Sequence, residues 1–229
     1  MLDDVVTVSE KIYADRKVWA MDFPRQPMPS PYVERPFLTF EEAVPHDACR
    51  DALATLEGCD TKAAALRGDR ALDRSIRDTL LHPLTPQIER LYEEAVGKYR
   101  SKIERFFAVA LGAATRPQLL EYREGGRYRR HADNASELVD SRGELVGYRV
   151  TIPERKVTTL LFLNTQGEDF TGGALLFNHL VDEEGKTVTL KPRAGTLLAF
   201  PSHPLFAHEV EPVQSGRRFA IAQWHDAVL

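Results

Sequence analysis

The stretch QLLEYREGGRYRRHADN, residues 118–134, decides how this chain is read. Residues 118–122 form a β-rich run, Gly125-Gly126 marks a turn, and residues 128–134 resume an extended pattern. Successive side chains on a strand face opposite ways, so positions i and i+2 share a face. His131 and Asp133 therefore aim at one point if 128–134 is extended. With 7 histidines in the chain, chance gives about 0.5 His-x-Asp pairs, so the pair needs its context to carry weight.

The context is a series of short strands. Residues 156–164 (KVTTLLFLN) contain no breaker, 172–177 (GGALLF) read as a glycine-led strand, and 187–190 and 196–200 follow. Residues 208–213 lead to a turn at Ser215-Gly216, and 218–224 (RFAIAQW) alternate as the last strand. Short strands separated by turns over about 110 residues indicate a sandwich or barrel. A later strand must then bring a second imidazole to the pair, and His208 is the candidate. Its rival is His203, although Ser202-His203-Pro204 reads as a loop. His46, His82 and His179 read as exposed, and His225 as structural or at a pocket rim. Two imidazoles and one carboxylate leave three positions of an octahedral metal open, the pattern of non-haem Fe(II) oxygenases. A structural zinc site would instead be closed by four ligands, usually including cysteine.

Arg218 extends the pattern. A planar guanidinium makes paired charge-assisted hydrogen bonds to a carboxylate that lysine cannot match. Arg217 is the rival, because a register slip of one residue exchanges the two faces of a strand.

Residues 122–224 resemble the prolyl 4-hydroxylase-like family of Fe(II)/2-oxoglutarate dioxygenases. The matching pieces are YRRHADN at 128–134, FLN at 162–164, GGALLF at 172–177, and His208-Glu209-Val210 with Pro212, Gly216, Arg218, Phe219, Ala220, Ile221 and Trp224. The resemblance implies a mainly β α+β fold, a double-stranded β-helix (jelly roll) with supporting N-terminal helices. It implies His131, Asp133 and His208 as iron ligands and Arg218 on the distal carboxylate of 2-oxoglutarate. It places Tyr122 beside the cosubstrate and Trp224 in the pocket. Relatives with a Tyr-Leu-Asn segment use that tyrosine on 2-oxoglutarate. Here Phe162 has no hydroxyl, so Tyr122 or Thr159 would replace it, or Arg218 would hold the cosubstrate largely alone. Related halogenases lack the carboxylate ligand, so Asp133 points to hydroxylation. The implied reaction consumes 2-oxoglutarate and O2 and releases succinate and CO2, with ascorbate as a candidate accessory reductant.

Leu161, Leu175, Phe177, Phe219 and Trp224 are candidate pocket walls, and Tyr128, Arg130 and Asn134 candidate substrate contacts. Arg123, Arg127, Arg129 and Arg130 could steer an acidic substrate; the plainer reading is a solvated face paired with Glu121 and Glu124. Residues 135–154 form a long loop or hairpin with its turn at Arg142-Gly143-Glu144, where relatives cover their substrate. The substrate is a protein residue such as proline, a free amino acid or a small metabolite. A cupin-like metal binder without turnover is the alternative, and it has no use for Arg218.

The front of the chain reads as support. Pro24, Pro27, Pro29 and Pro31 mark an extended arm, and Asp3 and Asp4 argue against a signal peptide. Residues 45–56 pattern as an amphipathic helix, and 75–81 as a short one. A long helix starts at Thr85-Pro86, carries the stripe Ile88, Leu91, Tyr92, Ala95, Tyr99, Ile103, Phe106 and Ala110, and stops by Gly112. The stripe should pack on the outer face of the major sheet. We expect one domain over 1–229, with arm and helices in 1–115 and the β core in 116–229. A net charge of −4 gives no hint of nucleic acid, and no apolar run is long enough for a membrane. Cys49 and Cys59 form neither a redox nor a zinc pattern, which suggests a reducing cytoplasm.

Overall fold

The computed structural model describes residues 28–29, 37–63, 75–182 and 184–228. Apart from Met28–Pro29, the proline-rich arm lies outside the described residues. The elements in order are β1 (Met28–Pro29), β2 (Leu38–Phe40), α1 (His46–Ala54), β3 (Lys62–Ala63), β4 (Arg77–Asp78), β5 (Leu80–His82) and α2 (Pro86–Phe107). There follow β6 (Ala110–Ala114), β7 (Gln118–Tyr122), β8 (Arg127–His131), β9 (Ala135–Val139), β10 (Leu145–Val150), β11 (Val157–Phe162) and β12 (Phe170–Gly172). The last are β13 (Leu175–Val181), β14 (Thr187–Leu190), β15 (Leu197–Pro201), β16 (His208–Val210), β17 (Val213–Gly216) and β18 (Arg218–Val228).

Two sheets face each other. The major sheet runs β2-β15-β11-β18-β7-β5-β3, with β6 also on β18. The minor sheet runs β1-β13-β16-β8-β4, with β14 also on β13. Apart from the parallel β1–β13 contact, the paired strands are antiparallel, as expected for a jelly roll.

Strand β11 explains why the major sheet sits where it does. All six of its residues are buried, because both faces are covered. Leu160 and Phe162 enter the core between the sheets, with Phe177, Phe200 and Val210. Leu161 faces the helices, packing with Ile88, Tyr92, Phe219 and Ile221. A strand buried on both faces reads as a continuous apolar run rather than an alternation.

Helix α2 forms as its signals dictate. The Thr85 side chain accepts from Ile88 N at 3.4 Å, and Pro86 occupies the first turn. Ile88, Tyr92, Ala95, Ile103 and Phe107 are buried against the outer sheet face and α1. The helix stops earlier than expected. Ala108 takes a left-handed conformation at φ 50° as its C-cap, and Gly112 lies inside β6. Ala110 is accordingly exposed on that strand and leaves the helical stripe.

Residues 75–81 are not helical; they contribute β4 and β5. Pairing of β5 with β7 supplies backbone partners that an isolated short helix would lack. Residues 135–154 form the hairpin β9–β10, whose turn is closed by the Asp140 carboxylate accepting from the backbone of Arg142 and Glu144. Val139, Val146 and Val150 are exposed on it.

Candidate metal and cosubstrate site

His131 ends β8, and His208 begins β16 directly opposite it in the minor sheet. The pairing is bulged: His208 faces His131, yet Val210 faces Tyr128, so a step of three residues along β8 matches a step of two along β16. The bulge lets Tyr128 and His131 share the inner face despite being three apart. Their rings stack with centroids 3.5 Å apart. Asp133 follows in the loop after β8. His131 Nε2 lies 3.8 Å from Asp133 Oδ1, and His208 Nε2 lies 4.0 Å from Asp133 Oδ2. One ligand atom from each residue lies within 4.8 Å of the other two.

This donor set fits a divalent metal for reasons beyond spacing. His131 Nδ1 is 2.9 Å from the carbonyl of Arg129, and His208 Nδ1 is 2.9 Å from that of Phe206. A carbonyl can only accept, so each Nδ1 carries the proton and each Nε2 presents its lone pair to the centre. Burial, aided by the field of His208, pushes His131 down to about 3, so its ring is neutral near pH 7. For Asp133 burial acts upward, but His208, His131, the Thr158 hydroxyl and Trp224 outweigh it and hold the carboxyl below its ordinary range. The Thr158 hydroxyl donates to Asp133 Oδ2 at 2.7 Å and is itself 2.7 Å from the Ser202 hydroxyl. The Trp224 indole N–H sits near the carboxylate without meeting hydrogen-bond geometry.

A small cleft opens on the triad. Arg218 lies in its wall, 2% exposed. Its Nε donates to the Gly173 carbonyl at 2.9 Å, and its guanidinium lies 4.9 Å from the Tyr122 ring and 5.5 Å from the Phe162 ring. Burial lowers its pKa, with Tyr122 opposing. Among the described residues no carboxylate makes an ion pair with it. Gly173 leaves room for it: at φ +66°, an added Cβ would lie 3.0 Å from Arg218 Cδ.

Arg217 points the other way, to Glu121 on the outer face. Register explains the split. Arg218 pairs with Tyr122 across β18–β7, and Arg218, Ala220 and Ala222 face the cleft. Tyr122 and Trp224 also line it. Thr159 does not: its hydroxyl is 2.6 Å from the Tyr92 hydroxyl and 2.9 Å from His225 Nε2, on the helix side. The inward threonine is its neighbour Thr158, because alternation lets only one of two adjacent threonines face the metal. The same alternation takes Leu161 and Phe219 to the helices, whereas Leu175 lines the cleft and Phe177 packs behind His208.

The surrounding polar residues sort differently from expectation. Tyr128 lines the cleft, but Arg130 turns to Glu137 of the hairpin at 2.6 Å, away from the cleft lining. Asn134 is buried outside that lining, its carbonyl accepting from Thr151 and Ile152. Arg123 pairs with Glu121 and Arg127 with the Gly125 carbonyl, so the basic cluster before His131 does not converge on the cleft. Two arginines that the sequence reading missed stand near the mouth. Arg77 lies 4.7 Å over the Tyr128 ring, and Arg155 lies 3.9 Å over the Trp224 ring and donates to the Asp133 carbonyl at 3.0 Å. Both are distant in sequence from His131, so no local pattern pointed to them.

His82 and His179 are buried rather than exposed. His82 Nε2 is 2.7 Å from Glu121, and His179 Nε2 is 2.8 Å from the Tyr148 hydroxyl. A buried imidazole stays when a hydrogen bond offsets its desolvation. His203 is also buried and accepts from Leu205 N through Nδ1. Burial holds His179 to about 4 (with help from Arg130), His203 to about 3 and His225 to about 4 (with help from Arg100). In the unfolded chain each returns to the ordinary value. Below about pH 6.5 the unfolded state therefore takes up protons that the folded state refuses until about pH 4–3. Stability is full above about pH 6.5 and falls as the pH drops from there. Each ring costs about 1 kcal/mol by pH 5.5. Urea unfolding at pH 7 and 5.5 should show a lower midpoint at pH 5.5; equal midpoints would mean that these rings are not held neutral.

The matches to known proteins agree with this geometry. A model of the 2OG-Fe(II) oxygenase superfamily matches residues 117–226. The chain is 30% identical over 152 residues to the human 2-oxoglutarate and iron-dependent oxygenase domain-containing protein 3, a match covering 66% of this chain and 44% of that protein. It thus spans less than half the length of that relative. It is 29% identical over 184 residues to a PKHD-type hydroxylase of Pseudomonas putida strain W619, covering 79% of this chain and 72% of that one. Among solved structures, a Pseudomonas putida prolyl-4-hydroxylase superposes with a TM-score of 0.61 at 22% identity, over 83% of this chain and 92% of the other. A prolyl hydroxylase from Trichoplax adhaerens, solved with a hypoxia inducible factor peptide, gives 0.63 at 21% identity over 83% of each chain. These two share its fold. The β-helical segment, residues 117–226, belongs to the 2OG-Fe(II) oxygenase superfamily.

Proposed function

We propose that the chain is a 2-oxoglutarate-dependent hydroxylase whose iron is held by His131, Asp133 and His208. The observation that carries this reading is Arg218, a buried cation in the same cleft as the triad with no acidic partner among the described residues. Burying such a charge is costly unless an anion joins it. A ligand bearing a carboxylate at one end and metal-binding oxygens at the other meets both requirements. Bound Fe(II) with 2-oxoglutarate and O2 supplies the oxidising power: the cosubstrate becomes succinate and CO2 while one oxygen atom enters a substrate C–H bond.

The chain's own groups bind, orient and exclude water. Arg218 takes the distal carboxylate, and Tyr122 is the phenol placed to add a hydrogen bond where Phe162 has none. Thr158 holds one oxygen of Asp133, leaving the other for the metal. Burial pushes the Tyr128 phenol up to about 12, so it acts as a hydrogen-bond donor and not as a base. Tyr128 and Trp224, braced by Arg77 and Arg155, frame the mouth as candidate substrate contacts; Arg130 and Asn134 would act only indirectly, from beneath the hairpin. The substrate is a peptidyl residue such as proline, or a small molecule. The similarity to prolyl hydroxylases supports the first and the small cleft allows either. Among the described residues no helix is long and apolar enough to cross a membrane. Both cysteines are free, which supports a reducing cytoplasm.

The test is anaerobic. Fe(II) and then 2-oxoglutarate are added to the purified protein, and the weak visible charge-transfer band of the chelate is recorded. The band should form in the wild type and be lost in His131→Ala. Metal binding without a band would favour a cupin-like metal binder instead.

A further inference from the structure

Arg218 projects from a backbone that is held on both sides by one side chain. Asn164 Nδ2 donates to the carbonyl of Arg217 at 2.6 Å, and Asn164 Oδ1 accepts from the backbone N–H of Phe219 at 2.9 Å. The two bonded groups flank Arg218, so the amide fixes the two peptide planes that set its Cα–Cβ direction. Asn164 is buried, its bond from Phe219 N–H is buried, and its bond to the Arg217 carbonyl is part-buried.

A second hold lies on the outer face. The Glu121 carboxylate is completely buried and accepts from His82 Nε2, Arg123 Nε and Arg217 Nε. Glu121 pairs with Phe219 in the β7–β18 register, next to the Tyr122–Arg218 pair on the inner face. The cluster therefore ties three neighbouring elements together directly behind the two polar groups of the cosubstrate wall. That wall depends on their placement, because Phe162 supplies no hydroxyl. A guanidinium displaced by about 1 Å loses bidentate geometry toward a carboxylate.

We propose that Asn164 and Glu121 are positioning residues that hold Arg218 and Tyr122 in line for the distal carboxylate of 2-oxoglutarate. The proposal rests on the functional reading above. Neither residue touches the cosubstrate; each acts through the strand that carries a residue that does. Their loss weakens cosubstrate binding selectively and leaves the metal triad, on β8, the loop after it and β16, in place.

The test uses Asn164→Ala and Glu121→Gln in the full chain. Anaerobic titration measures metal affinity first, and then 2-oxoglutarate affinity on the Fe(II)-loaded protein. The 2-oxoglutarate dissociation constant should rise about tenfold, the scale seen when outer partners of a site are removed. Metal affinity should stay within about twofold of wild type. Asn164→Asp keeps the acceptor for Phe219 N–H and loses the donor to Arg217, so it reads the same effect should the alanine variant not fold. A folded variant with a lower melting temperature but unchanged 2-oxoglutarate affinity would show a merely structural role and overturn the proposal. A parallel loss of metal affinity would indicate general loosening and overturn it as well. Wild-type protein that binds Fe(II) but not 2-oxoglutarate would overturn the functional reading and this proposal together; normal wild-type binding with unaltered variants overturns this proposal alone.

Discussion

His131→Ala and Asp133→Ala should each reduce succinate formation from 2-oxoglutarate by more than about a hundredfold. Loss of a partner that only orients a ligand typically costs 10–100-fold, so loss of the ligand itself exceeds that range. The two substitutions act differently. Alanine at 131 removes one of the two imidazole ligands and the stacking partner of Tyr128. Alanine at 133 removes the only carboxylate of the cluster, leaving two imidazoles and no anionic ligand to balance a divalent cation. The Thr158–Ser202 hydroxyl pair would remain intact behind the gap. The fold should persist in both, because the cleft is walled by the inter-sheet core and not by the triad. Coupled succinate assays with metal titration and thermal melting check this. Turnover near the wild-type rate in either variant would refute the ligand assignment.

Arg218→Ala should raise the 2-oxoglutarate requirement roughly a hundredfold while leaving metal affinity nearly unchanged. Truncating one partner of a buried, hydrogen-bonded charge pair costs about 2–5 kcal/mol, and a hundredfold lies within that span. Arg217→Ala is the informative contrast. Its guanidinium side chain is 53% exposed and points to the outer face. Glu121 would keep His82 and Arg123, and the Asn164 amide holds the Arg217 carbonyl whatever the side chain. We expect less than about a fivefold change there, the scale of a part-exposed ion pair. KM for 2-oxoglutarate measured in both variants decides the matter: a larger rise in Arg217→Ala would place the cosubstrate cation one residue earlier.

Much of the site was legible because its residues belong to strands with clear periodicity. The alternation of 218–224 placed Arg218 with Ala220 and Ala222, and these three line the cleft. The Thr85-Pro86 start of the long helix was equally plain, since capping is a local matter. The errors share a cause. Thr158 and Thr159 are adjacent on a strand buried on both faces, so hydrophobicity does not say which one faces the metal. Residues 75–81 carry weak local signals, and β5 exists because β7 offers it hydrogen-bond partners. His82 read as exposed because the carboxylate that buries with it lies 39 positions away.

The sequence by itself determined the residue types of the candidate triad, the order of the strands that carry them and the pair of arginines, Arg217 and Arg218, from which the cleft takes one. Those follow from side-chain chemistry and the two-residue period of a strand, both of which are local. Only the tertiary structure decided which way each ligand presents its lone pair, which threonine braces Asp133, and that Arg77 and Arg155 meet at the mouth. It also decided that one amide, Asn164, closes on both sides of Arg218, 55 residues from Phe219. Such contacts depend on strand register and on a β-bulge in β8, and a single chain read alone does not reveal which residues lie opposite one another.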